Sequence, residues 1–211
     1  MNGDQGRPLL VEWAVASRAI SGESISGDVC LVEAFPGGNL LAVSDGLGHG
    51  SEAAWAAKRA TATLRHNPEE PVLTLIDRCH QRLRGSRGVV MSLVSIDGEM
   101  NIMSWAGVGN VEVRLLRAAG EGGFLRESLL LRAGVVGYRL PSLRASEMEI
   151  TPGDVILFVT DGISGGFEEE VDLNQTPQSI ANTLLEKKGK WTDDVLVLVA
   201  RYLGNACAKS S

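Results

Sequence analysis

The sequence predicts an α+β layered domain built from antiparallel sheets. Three observations predict it. Most apolar runs are strand-sized and joined by Pro-Gly, Asp-Gly or glycine-rich turns, as hairpins are. Helical periodicity is confined to one consecutive pair of helices and one late helix. Strands and helices do not alternate one for one, as a parallel βαβ sheet would require.

Val11 to Ser17 alternates apolar and polar residues, as an outer strand does. A small polar loop, Ser21 to Gly27, ends at Asp28. Val29–Phe35 and Leu40–Asp45 read as a hairpin around Pro36-Gly37-Gly38-Asn39. Ala53, Ala57, Ala60 and Leu64 share one face of a first helix; Val72, Leu75, Ile76, Cys79 and Leu83 share one face of a second. Asn67-Pro68 separates the two, and Gly85 is the expected C-terminal stop. Val89–Ile96 and Ile102–Ala106 form the next hairpin across Asp97-Gly98. Val111–Arg117 and Phe124–Leu131 form another around Gly120-Glu121-Gly122-Gly123. Thr151-Pro152-Gly153-Asp154 turns into a strand that ends at Asp161. Thr176-Pro177 supplies an N-cap and a first helical residue for a helix carrying Ile180, Ala181, Leu184 and Leu185, closed by Lys187, Lys188 and Gly189. Val195 to Tyr202 is the last strand. One domain is expected over residues 1–211, with a core from about 10 to 202 and short polar tails.

The chain has 211 residues, 44% hydrophobic and 22% charged, which is ordinary for a soluble globular protein. Its net charge of −6 speaks against a nucleic-acid partner held by a basic surface. Cys30, Cys79 and Cys207 are odd in number, far apart, and form no Cys-x-x-Cys pair, so neither a disulfide framework nor a thiolate zinc site is indicated. A reduced, cytoplasmic setting is expected. No apolar run approaches the ~20 residues that cross a bilayer, and the polar start Met1-Asn2-Gly3-Asp4-Gln5-Gly6 does not read as a signal peptide.

Chemistry concentrates in Val43-Ser44-Asp45-Gly46-Leu47-Gly48-His49-Gly50. A strand ends in a carboxylate, alternating glycines and a histidine, and an alanine-rich helix follows. Glycines let the backbone turn sharply and approach an ion or a phosphate. Asp161 follows the apolar run Val155 to Thr160, and Asp193 precedes the run Val195 to Val199. Three carboxylates delivered to strand ends by a rigid sheet point to a hard-cation site. Each motif also has a plainer reading: Asp45 as a turn or cap residue, Asp161-Gly162 as a strand-exit turn, Asp193-Asp194 as a loop cap. Trp13, Trp55, Trp105 and Trp191 are expected in core or edge packing, His66 and His80 on the surface or at helix ends, and Glu168-Glu169-Glu170 on a solvated face. Gly107 and Gly109 read as a tight turn between strands, with a loop that approaches the site as the alternative.

Asp45-Gly46, Thr160-Asp161-Gly162 and Asp193-Asp194, in that order, resemble the metal-dependent serine/threonine protein phosphatases of the type 2C class. Asp-Gly-Leu-Gly-His-Gly is similar to the bacterial branch typified by the stage II sporulation phosphatase and its stress-response relatives, and the compact length is most similar to the feedback phosphatase of the stressosome. The resemblance spans roughly residues 10 to 202. It implies an α-β-β-α sandwich, two mainly antiparallel sheets flanked by helices. It also implies two divalent ions, Mn²⁺ or Mg²⁺, that activate a water for attack on phosphorus without a phosphoenzyme. Asp45, Asp161 and Asp193 would be the catalytic carboxylates. Asp45, the Gly46 carbonyl, Asp161, Asp193 and Asp28 would hold the metal, with Asp28 acting near the second ion, while Asp194 supports them. The implied substrates are phosphorylated regulatory proteins of the stressosome scaffold or antagonist type, whose dephosphorylation gives negative feedback on stress signalling; no nucleic acid or membrane is implied.

Three positions depart from the broader class. Leu47 stands where a histidine follows Asp-Gly, leaving His49, two residues on, as an accessory candidate: a hydrogen-bond partner within the loop or a proton donor. Glu23 stands five residues before Asp28, where a phosphate-binding arginine is expected, so Arg18 is the remaining candidate nearby. Gly27 replaces the acidic residue before Asp28. Two other functions stay open. A nucleotide-binding module is disfavoured, because the glycines follow Asp45 at +1, +3 and +5 instead of +2 and +4, and no Walker-type Gly-x-x-x-x-Gly-Lys-Ser/Thr exists. A relative that binds phosphoprotein without turnover is disfavoured by the retained Asp45, Asp161 and Asp193.

Overall fold

A computed structural model describes residues 9–119 and 123–205. Cys207, the polar N-terminal start and the Gly120-Glu121-Gly122 part of one predicted turn lie outside the described residues. Ten strands and three α-helices form an α-β-β-α sandwich, as expected, among these residues. The strands are β1 (Val11–Arg18), β2 (Asp28–Phe35), β3 (Gly38–Gly46), β4 (Val89–Asp97), β5 (Ile102–Val108), β6 (Glu112–Ala118), β7 (Phe124–Ser128), β8 (Ser146–Glu149), β9 (Val155–Val159) and β10 (Val195–Tyr202). The helices are α1 (Ser51–Leu64), α2 (Val72–Arg82) and α3 (Pro177–Lys188).

One sheet runs β1-β10-β9-β6-β7 and the other β2-β3-β4-β5-β8, and neighbouring strands pair antiparallel throughout. Three apolar layers hold the sandwich together. Between the sheets lie Leu41, Val43, Trp105, Phe158, Leu198 and Tyr202 among others. The alanine face of α1 packs with Leu75, Ile76 and Cys79 of α2 onto the outer side of the second sheet. Small alanines let the helix lie close to the strands, which carries the start of α1 up to the end of β3. Ile180, Ala181 and Leu184 of α3 cover β1 and β10 on the other side. β3 and β10 are buried on both faces, and so read as near-continuous apolar runs instead of alternating ones.

Several local expectations need correction. The first hairpin is tighter than predicted, because Phe35 pairs with Gly38 and only Pro36-Gly37 turn. The Asp97-Gly98 turn is longer: Asp97 belongs to β4, its carboxylate accepts N–H bonds from Glu99 and Met100, and Asn101 takes a positive φ of 54°. β8 was not anticipated. Of the four tryptophans only Trp105 is core; Trp13, Trp55 and Trp191 are exposed, and Trp191 carries the Arg18 guanidinium 3.7 Å above its ring. The Glu168–Glu170 run is not a free acidic face: Arg114 bonds Glu168, and Lys187 bonds Glu170. His80 is bound as well, its Nδ1 accepting the Gly137 N–H at 3.0 Å. Cys30 and Cys79 are free, and burial pushes the Cys79 thiol up to about 12. Among the described residues, no helix is long and apolar enough to cross a membrane.

Candidate active site

The hairpin register does the first work of assembly. β2 and β3 pair so that Asp28 stands opposite Asp45, and β3 pairs with β4 so that Asp45 faces Val90 and Gly46 faces Val89. The two carboxylates are therefore cross-strand neighbours at one end of the strands. Gly46 has to be glycine: a Cβ there would meet the Ala53 carbonyl oxygen at 2.1 Å, because α1 crosses just above the strand end. The chain then turns through Gly48 and Gly50, both at positive φ, and enters α1 at Ser51.

The other sheet supplies the remaining acids. Thr160 follows β9, and its hydroxyl donates to Asp28 Oδ2 at 2.8 Å while accepting the Leu196 N–H at 2.9 Å. One side chain thus ties Asp28 to the start of β10 across the interface between sheets. Asp161 comes next and Asp193 precedes β10. Gly162 is held against this crossing, since a Cβ there would lie 2.0 Å from the Asp194 carbonyl oxygen. Asp194 is buried, and its two carboxylate oxygens accept the N–H groups of Ile20 (2.8 Å) and Gly27 (2.7 Å). It fixes both ends of the loop that delivers Asp28, and Gly27 O in turn accepts the Gly46 N–H at 3.1 Å.

Asp45, Asp161 and Asp193 line one groove of about 340 Å³, together with Leu47, Gly48 and His49. Asp28 does not line it; it stands behind Asp45, 7% exposed. Gly46 adjoins the groove through Asp45. His49 lies at the rim and bonds Glu23 Oε1 through Nδ1 at 3.1 Å, which is the loop-partner role. Arg18 is engaged elsewhere, donating to Lys190 O at 2.9 Å and stacking on Trp191. Two contributors escaped the sequence reading. Asn110, in the turn after β5, donates to Asp161 Oδ2 at 2.6 Å, and Lys190 donates to the Asp161 carbonyl at 2.6 Å. Asn110 carried a signal only in its company, the glycine-rich Gly107-Val108-Gly109 beside it.

The electrostatics are those of crowded like charges. Burial, followed by repulsion from Asp28, Asp161, Asp193 and Asp194, pushes Asp45 up to about 8. Burial pushes Asp28 up to about 7, with Asp194, Asp161 and Asp193 adding to it and the Thr160 hydrogen bond opposing it. Asp161 is raised by burial and by Asp193, against the opposing pull of Lys190 and Asn110. Such a group of carboxylates is incomplete without a positive charge. The donor chemistry fits a hard divalent cation, being oxygen throughout. Side chains would have to rotate inward, since among the described residues no three His, Cys, Asp or Glu side chains stand ready to hold a metal ion.

A model of the family described as stage II sporulation protein E (SpoIIE) matches residues 36–203. The phosphoserine phosphatase RsbX of Bacillus subtilis (strain 168) is 25% identical over 181 residues, which is 85% of this chain and 89% of RsbX. A solved chain described with the bacterial stressosome, as a modular system adapted to control secondary messenger signaling, is 35% identical. It superposes with a TM-score of 0.82 over 90% of this chain and 99% of its own. The structure of RsbX in complex with magnesium shares the fold at a TM-score of 0.79 and 23% identity, over 90% of this chain and 94% of that one.

Proposed function

The chain belongs to the SpoIIE family, and from that premise we propose that it is a divalent-cation-dependent phosphatase of phosphoserine or phosphothreonine in regulatory proteins. The observation that carries the reading is the meeting of Asp45, Asp161 and Asp193 from two sheets in one groove, with Asp28 buried behind them.

Asp45, Asp161, Asp193, Asp28 and the Gly46 carbonyl are the residues that would hold Mg²⁺ or Mn²⁺. A bound pair of such ions supplies charge neutralisation at the phosphoryl oxygens and lowers the pKa of water to generate a nucleophile. The chain's own residues do the rest. Thr160 and Asp194 fix the backbone on both sides of the crossing, so the carboxylates keep their relative places without help from the substrate. Asn110 holds Asp161 to one orientation. Leu47 offers no proton at the position next to Gly46, so protonation of the leaving serine oxygen falls to solvent or to His49, which Glu23 orients at the rim.

The magnesium complex of RsbX supports the cation class, and the stressosome context of the 35% identical chain supports regulatory phosphoproteins as substrates. Within that class we propose scaffold or antagonist proteins of a stressosome, dephosphorylated in the cytoplasm with negative feedback as the outcome. Over residues 1–211 the chain acts as one phosphatase domain. The expected result is Mn²⁺- or Mg²⁺-dependent hydrolysis of p-nitrophenyl phosphate, lost on chelation and reduced by ~100-fold or more in Asp161→Asn or Asp193→Asn. Full turnover in chelator would sink the reading.

A further inference from the structure

A second cleft, of about 500 Å³, opens beside the acidic groove between the start of α1 and the Gly85–Arg87 turn. It is lined by Ser51, Glu52 and Trp55 on the helix and by Gly85, Ser86 and Arg87 on the turn. The two clefts are neighbours by construction. β3 and β4 pair up to Gly46 and Val89, and the Leu47 N–H then donates to Gly88 O at 3.2 Å, which sets Arg87 alongside Gly48. Gly48 lines the acidic groove, and a Cβ on it would lie 2.8 Å from Arg87 Nη1. The Arg87 guanidinium therefore forms part of the partition between the groove and the cleft.

Among the described residues lining the cleft, Arg87 is the one cation. Its Nη2 holds Glu52 Oε2 at 2.5 Å, with the side chains 49% and 69% exposed. An exposed pair of this kind contributes little to stability, so a competing carboxylate displaces Glu52 at little cost. The guanidinium fork suits such a carboxylate, and Glu52 stands in the place one would take. One turn further along α1, Trp55 leaves half its indole in solvent, a flat apolar surface beside the cation. The Arg59 guanidinium, 5.1 Å from the ring centroid, takes part of that surface. Open space lies over Gly85, where a Cβ would meet nothing within 4 Å.

We propose that this cleft docks the residues flanking the phosphoserine of the protein substrate, with Arg87 receiving an acidic side chain and Trp55 supporting the chain beside it. The inference rests on the phosphatase reading and adds a substrate preference to it: phosphosites with acidic neighbours are favoured. Continuity with the groove selects this occupant, because a phosphoserine held at Asp45 places its flanking residues within reach of the partition that Arg87 forms. The acidic groove alone would favour basic neighbours, so the cation on its wall predicts the opposite of the protein's overall charge.

The test compares two synthetic phosphoserine peptides, one with glutamates on both sides and one with lysines, by kcat/KM in saturating Mn²⁺. The wild-type protein is expected to prefer the glutamate peptide by roughly tenfold, about 1.4 kcal/mol. Arg87→Gln is expected to erase that preference and Arg87→Glu to reverse it. Each ratio is taken within one protein, so partial misfolding of a variant cancels. Equal turnover of both peptides by the wild-type protein, or a preference that survives both substitutions, overturns the docking inference alone. Failure to hydrolyse either peptide or p-nitrophenyl phosphate overturns the phosphatase reading and this inference with it.

Discussion

Burial and neighbouring carboxylates hold Asp45 and Asp28 at about 8 and about 7, so residues proposed to hold the cation work against folding when ionised. Asp45→Asn removes one of the repelling charges. It is expected to raise the unfolding midpoint of the metal-free protein at pH 8, as read by calorimetry, while abolishing phosphatase activity. Asp194 is the contrary case. Asp194→Ala leaves the buried Gly27 N–H and the half-buried Ile20 N–H without acceptors, and the expected loss is on the order of 2 kcal/mol in denaturant unfolding, with weaker Mn²⁺ binding. The site was partly legible from residue order. Asp45, Asp161 and Asp193 announce themselves by ending or starting apolar runs, a local signal. Asn110, Lys190 and the two hydrogen bonds of the Thr160 hydroxyl depend on which loops the two sheets bring together, and no spacing in the chain encodes that.

At the scale of elements, local chemistry explains what was readable. Thr176 caps α3 by accepting the Ser179 N–H at 3.2 Å, with Pro177 at the first helical position. Thr176→Ala is expected to lower stability by about 1 kcal/mol in urea titrations with an unchanged slope, and to leave turnover unaltered, because Thr176 caps the end of α3 opposite the one that leads through Lys190 to Asp193. The alanine face of α1 and the apolar face of α2 were equally plain. β8 was not, because its Ser-Glu-Met-Glu stretch sits at a sheet edge, largely exposed, and buries almost nothing that would mark it as a strand. The tryptophans misled for a related reason: Trp55 and Trp191 are apolar in composition, yet lie on surfaces beside the site, with Arg59 and Arg18 over their rings.

For the whole molecule, the raised carboxylates couple stability to pH and to divalent cations. Their folded pKa values lie above the unfolded value of about 3.8, so folding favours the protonated forms. The stability they contribute is present in full below the unfolded value and is lost as pH rises through about 7 and about 8. The metal-free protein is therefore expected to melt at lower temperature at pH 8.5 than at pH 6. Mn²⁺ at a hundred times its Kd should restore about 2.7 kcal/mol, with a larger effect at the higher pH, where fewer protons compete. The antiparallel layers of the fold were foreseeable from hairpin turns and apolar runs; the partition between groove and cleft was not, because it arises only when the turn before β4 is drawn alongside the loop after β3. The most direct test of the account is a titration of Mn²⁺ into the metal-stripped protein, following binding heat and phosphate release from a phosphoserine protein together. Both are expected to saturate in parallel and Asp45→Asn to lose both; phosphate release at full rate before any Mn²⁺ is added, or undiminished in that variant, would contradict a cation-dependent phosphatase.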